Sequence, residues 1–85
     1  MDETKKNVLV IGASGVFGSI FCEELAAQGF NVLAAARKTD NIPTSANLRL
    51  RLDLQDPNSI DVLANYLIQE NIKLDGIVQA AGAVG

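Results

Sequence analysis

Histidine and tryptophan are absent from this 85-residue sequence, and cysteine occurs once. The missing histidine removes the commonest general base and the commonest metal ligand. A single cysteine excludes an internal disulfide framework and a zinc site built on cysteines. Aromatic residues make up only 5% of the chain, so any core must be aliphatic. Basic residues are few: seven stand against ten acids, for a net charge of −3. No cluster of Lys and Arg is dense enough for a nucleic-acid or membrane footprint. Long apolar runs are missing too. Asn7 to Cys22 follows Lys5 and Lys6 in the manner of a secretion signal, yet Gly12, Gly15 and Gly18 interrupt it. No clear small-x-small cleavage site comes after it. It is also shorter than the roughly 18 residues a membrane span needs. These absences exclude the usual metalloenzyme, a secreted disulfide scaffold and a His-dependent hydrolase. The expectation is a soluble chain of the reducing cytoplasm.

What is present is an ordinary globular composition, 48% hydrophobic and 20% charged. Its length allows one small domain at most. Strand and helix signals alternate along it. Val8-Leu9-Val10-Ile11 is a continuous apolar run, the pattern of a strand buried on both faces. Gly12 to Gly18 is a glycine-rich turn. Phe17, Ile20, Phe21 and Leu25 then fall at helical spacing, with Glu23, Glu24 and Gln28 towards the other side. Gly29 sits where a helix ends, with Phe30 placed to pack back. Asn31 to Ala36 is a second apolar strand. Arg37 to Asn47, with Pro43 inside it, has room for a loop or a short 3-10 segment. Leu48-Arg49-Leu50-Arg51-Leu52 alternates strictly, as a strand near a sheet edge does. Asp56-Pro57 reads as an N-cap and first helical residue. Ile60, Leu63, Ala64, Leu67 and Ile68 mark the helix face that follows, and Leu74 to Ala81 is a fourth apolar strand. The order β-α-β-β-α-β favours a parallel sheet with right-handed crossovers.

The chemistry lies in Gly12-Ala-Ser-Gly15-Val-Phe-Gly18, a G-x-x-G-x-x-G turn between a strand and a helix. Gly12 lets the strand turn tightly, Gly15 lets backbone approach a pyrophosphate, and Gly18 lets the helix pack close to the sheet. The free N–H groups of the first helical turn, with the helix dipole, attract an anion. Two other phosphate or acyl motifs fail. A Walker A loop needs Gly and then Lys where Phe17 and Gly18 stand, and a G-x-S-x-G elbow needs Gly at Val16. Ser14 is therefore a loop residue offering N–H or hydroxyl to a phosphate, not a nucleophile.

This loop, with Leu52-Asp53-Leu54 and Val78-Gln79-Ala80-Ala81-Gly82, resembles the N-terminal half of the short-chain dehydrogenase/reductase family. The three motifs occur in order and the resemblance covers nearly the whole chain. It implies a partial Rossmann-like α/β fold, four parallel strands in the order 3-2-1-4 with helices on both faces. Residues 1–85 would then be the N-terminal part of an NAD(P)-binding domain. It implies further that the loop holds the cofactor pyrophosphate, that Asp53 bonds the adenine amino group with Leu54 beside the ring, and that the backbone of Gln79 to Gly82 lines the nicotinamide-ribose side. The sequence departs from the classical pattern at Ile11, which stands for Thr, and in its glycine spacing, which is more like that of extended and atypical members, while Ala80-Ala81-Gly82 looks classical. Gln79 and Ala80 stand where classical members carry two asparagines.

Cofactor choice turns on the end of the second strand. An NAD enzyme places Asp or Glu there for the ribose 2′-hydroxyl. This chain reads Ala36-Arg37-Lys38, and the Arg37 guanidinium suits a 2′-phosphate. NADP is expected over NAD. The candidate cofactor contacts are Gly12, Ala13, Ser14, Gly15, Phe17, Gly18, Arg37, Asp53, Leu54, Ala80, Ala81 and Gly82. No catalytic residue can be assigned: the family motif is Tyr-x-x-x-Lys, whereas Tyr66 is followed four residues on by Glu70. The chain reads as the cofactor-binding segment of an oxidoreductase acting on carbonyls or alcohols, inactive by itself. A stand-alone dinucleotide-binding module and a segment of an epimerase-type relative are the alternatives. An apolar fourth strand at the sheet edge makes self-association an expectation.

Overall fold

The strands form because Val8-Leu9-Val10 and Val32-Leu33-Ala34-Ala35 offer β-branched and aliphatic side chains to both faces of one sheet. The computed structural model describes residues 1–80. Its elements are β1 (Asn7–Ile11), α1 (Val16–Ala27), β2 (Asn31–Ala36), a 3-10 turn at Thr39–Asn41, β3 (Leu48–Arg51), α2 (Pro57–Gln69) and β4 (Gly76–Gln79). The sheet is wholly parallel, ordered β3-β2-β1-β4. Ile11 lies beside Ala35 and Gln79, and Ala36 beside Arg51, so all four strands end at one rim. The architecture is a partial Rossmann-like α/β fold.

Each face has its own aliphatic core. Val10, Val32, Ala34 and Ala36 pack with Ala13 and Cys22 on the α1 side, where Ile42 from the connection after β2 closes the layer. Leu9, Leu33 and Ala35 pack with Leu52 and Leu63 on the α2 side. β2 is buried along its whole length, while Arg49 and Arg51 of the edge strand β3 are exposed. Burial of the Cys22 thiol, reinforced by nearby Glu23, pushes its pKa above the ordinary value and keeps it an inert neutral group.

Both helices end in the same way. Gly29 has φ +93°, its N–H bonds Ala26 O at 3.1 Å, and the Phe30 N–H bonds Leu25 O at 3.1 Å. Asn71 has φ +57° and repeats the pattern, with Asn71 N–H to Ile68 O at 3.1 Å and Ile72 N–H to Leu67 O at 2.9 Å. These are paired 5→2 and 6→1 closures that satisfy the last carbonyls.

Three expectations need correction. The stripe Phe17, Ile20, Phe21 does not face the sheet: these residues are 47%, 54% and 42% exposed. Gly18 and Cys22 are buried instead, with Leu25 and Ala26 packed against that core. A Cβ on Gly18 would run into Gly12 O and lie 2.7 Å from the Gly12 carbonyl carbon. That contact fixes the helix rotation, and the flanking bulky residues turn outward. On α2, Leu63 is buried and Leu67 half-buried, but Ile60 and Ala64 are exposed and Ile68 is 74% exposed. Buried Ser59 takes the place of an aliphatic residue on that face. β4 also begins only at Gly76, two residues into the apolar run; Leu74 packs into the α2-side core ahead of it, and the run's last residue, Ala81, lies outside the described residues.

Candidate functional site

The first strand leaves the sheet at Gly12, whose φ of +81° demands glycine. The Gly12 and Ala13 N–H groups both donate to Ala35 O, at 2.9 and 3.0 Å. This pair of hydrogen bonds to the neighbouring strand seats the loop, and Ala13 is wholly buried beneath it. The Gly15 N–H turns back to Gly12 O at 3.2 Å. α1 then begins, with Ser19 N–H to Gly15 O at 2.9 Å as its first bond. The N–H groups of Ser14, Val16, Phe17 and Gly18 consequently have no acceptor among the described residues. Neither a side-chain cap nor an acidic residue occupies this end of the helix. Gly15 is exposed, and a Cβ there would touch only Gly12 O at 3.5 Å. The glycine is not demanded by the fold; the space above it is open.

The other candidates gather at the same rim. Ala80 N–H donates to Ile11 O at 2.8 Å, so Ala80 lies next to Gly12. Arg37 follows the last residue of β2, with Lys38 beside it; both are exposed and neither pairs with an acid among the described residues. Leu52 N–H extends the β3 pairing to Ala36 O at 2.9 Å, which leaves Asp53 and the 46% exposed Leu54 just past the strand end. The Asp53 Oδ1 accepts the Gln55 N–H at 2.9 Å. Asp56 caps α2 by accepting the Asn58 N–H at 3.1 Å, and its contact with Arg51, 4.0 Å away on the surface, adds little. Ala81 and Gly82 lie outside the described residues.

Sequence reasoning passes over two residues here. Val16 contributes an unpaired N–H although its side chain carries no signal. Ser59 braces the Asp53 turn, and its position three residues after the Asp56 cap is the only hint in the sequence. Tyr66, by contrast, lines a cleft of about 270 Å³ with Asn7, Asn31 and Glu70, where the strands begin. It is at the far end of the sheet from the loop. Among the described residues no cluster of His, Cys, Asp and Glu is placed to hold a metal, and no helix is long and apolar enough to cross a membrane.

Known proteins carry a similar segment. The family model for short chain dehydrogenase matches residues 6–85. The chain is 37% identical over 83 residues to 3-amino-tetrahydro-pyrrolizinone reductase of Xenorhabdus hominickii, covering 93% of this chain and 29% of that protein. It is 31% identical over 97 residues to (+)-neomenthol dehydrogenase of Arabidopsis thaliana, covering 99% of this chain and 33% of that one. A crystal structure of a short-chain dehydrogenase from Streptomyces avermitilis matches with a TM-score of 0.75 at 32% identity, over 91% of this chain and 30% of that one. The chain thus spans a third or less of the length of these three relatives.

Proposed function

Because the chain belongs to the short-chain dehydrogenase family, we propose that it forms the NADP-binding segment of an oxidoreductase that exchanges hydride between NADPH and a carbonyl or alcohol. One observation carries the reading: the N–H groups of Ser14, Val16, Phe17 and Gly18, in the loop and first turn of α1, have no acceptor among the described residues and share the sheet's C-terminal rim with Arg37. A pyrophosphate fits those donors, since no carboxylate competes in the first turn and no Cβ stands over Gly15. Arg37, extending from the end of β2, takes the 2′-phosphate through its planar fork, with Lys38 in support. Asp53 and Leu54 take the adenine, and Ala80 leads towards the nicotinamide ribose. Residues 1–85 act as part of one dinucleotide-binding domain. When bound, NADPH supplies the hydride; the protein's groups hold and orient it.

Among the described residues no Tyr-x-x-x-Lys pair stands at the rim, so in this reading the acid–base groups for turnover come from outside the segment. Tyr66 is at the wrong end of the sheet to serve. The protein works in the reducing cytoplasm, where buried Cys22 stays a thiol. The G-x-x-G-x-x-G spacing supports an epimerase-type relative as the second reading, with the same cofactor site.

The test is a fluorescence titration with NADPH and NADH. Wild type is expected to prefer NADPH. Arg37→Asp should reverse the preference, because a carboxylate repels the 2′-phosphate and suits the 2′-hydroxyl. An unaltered ratio removes Arg37 from the 2′-phosphate, and no binding of either cofactor rejects the site.

A further inference from the structure

We infer that Ser59 is a positioning residue for the adenine end of this site: its buried hydroxyl fixes the backbone of Asp53 and so aims the Asp53 carboxylate. The inference rests on the cofactor reading above. Ser59 is only 4% exposed, although Asn58, Ile60 and Asp61 around it on α2 are exposed. Its Oγ accepts the Asp53 N–H at 3.0 Å. The same Oγ lies 2.9 Å from Asp53 O and 2.9 Å from Asp56 O, so its single proton serves one carbonyl at a time. Asp53 O also accepts the Asp56 N–H at 2.9 Å.

Every polar atom of Asp53 is therefore committed except one. The N–H and C=O are held by Ser59 and Asp56, and Oδ1 by the Gln55 N–H. Only Oδ2 has no donor among the described residues. A loop residue past a strand end is ordinarily mobile; here its carboxylate has one oxygen tied and one presented. Helix capping does not explain the serine, because Asp56 already caps α2. Alanine would fill nearly the same volume. What the hydroxyl adds is an acceptor for the Asp53 N–H, which would otherwise be left unpaired.

The experiment compares NADPH with its analogue in which hypoxanthine replaces adenine, presenting a carbonyl where adenine has its 6-amino group. Wild type is expected to bind NADPH about tenfold more tightly than the analogue, the usual worth of a hydrogen bond to a carboxylate. In Ser59→Ala the ratio should fall to within about twofold, and in Ser59→Thr, which keeps a hydroxyl, it should largely return. A Ser59→Ala protein that keeps the wild-type ratio overturns the inference. Wild type that binds NADPH without discriminating the base overturns it too, together with the Asp53–adenine contact, but leaves the pyrophosphate and 2′-phosphate assignments standing. Failure to bind NADPH at all removes both. Amide exchange on unaltered protein gives an independent check: the Asp53 N–H should exchange at least about tenfold more slowly than that of Leu54, whose N–H has no acceptor among the described residues. Free exchange at Asp53 rejects the brace.

Discussion

Gly15 and Gly18 stand three residues apart and do different work. Gly15 has an ordinary extended φ of −79° and room for a side chain. Gly15→Ala should cost the fold no more than about 1 kcal/mol, the difference between Gly and Ala at an N-cap. It should nevertheless weaken NADPH binding at least about tenfold, because the methyl stands where backbone must approach the pyrophosphate. Gly18 has the opposite profile. A Cβ there meets Gly12 O and lies 2.8 Å from the Ala13 Cα, both backbone atoms that cannot swing aside. Gly18→Ala should lose about 1–3 kcal/mol of stability. Urea unfolding of the two variants beside NADPH titration separates the roles; equal stability losses would sink the distinction. The sequence motif named all three glycines. It also assigned a turn, a ligand approach and a packing role to them; what it could not give is how tight each constraint is, because that depends on φ and on what stands opposite each missing Cβ.

Helix and strand were legible at the scale of elements, and so was the parallel order. Helix rotation was not. Hydrophobic spacing put Phe17, Ile20 and Phe21 of α1 inward, and Ile60 and Ile68 of α2. The buried faces are built instead on Gly18 and Cys22, and on Ser59 and Leu63, each pair four residues apart. Small and polar residues carry little weight in an apolar count, yet here they set the closest approaches: Gly18 to the loop, Ser59 to the turn before its own helix. The helix stops were readable only in part. Gly29 announces its turn, whereas Asn71 closes α2 identically without a glycine. Asparagine tolerates that left-handed conformation better than most residues, but glycine does so without steric cost. Asn71→Gly should therefore hold or raise stability by about 0.5 kcal/mol, and Asn71→Ala should lower it by about 1 kcal/mol. Thermal unfolding of the pair checks the sign; an Ala variant as stable as the Gly one would mean the turn bears no strain.

Across the whole molecule, β1 and β2 are interior strands and β4 has β1 as its hydrogen-bonded neighbour among the described residues. Ile77 in β4 is 61% exposed, and Val16, Phe17, Ile20 and Phe21 add an apolar strip on α1. An apolar strand at a sheet edge invites pairing. The 85-residue polypeptide prepared alone is expected to self-associate at micromolar concentration in sedimentation runs. Ile77→Lys, placing a charge on that edge, should shift it towards monomer. Monomeric wild type at about 100 micromolar would mean the edge is protected. The arrangement of the sheet has a practical side as well. The rim bearing the loop and the end where the strands start are separated by the length of β1, five residues or about 16 Å. Met1, Asp2 and Glu3 sit at the latter end. A fluorophore or surface tether attached at Met1 would therefore hold the molecule with its loop-bearing rim facing away from the support, free to be sampled.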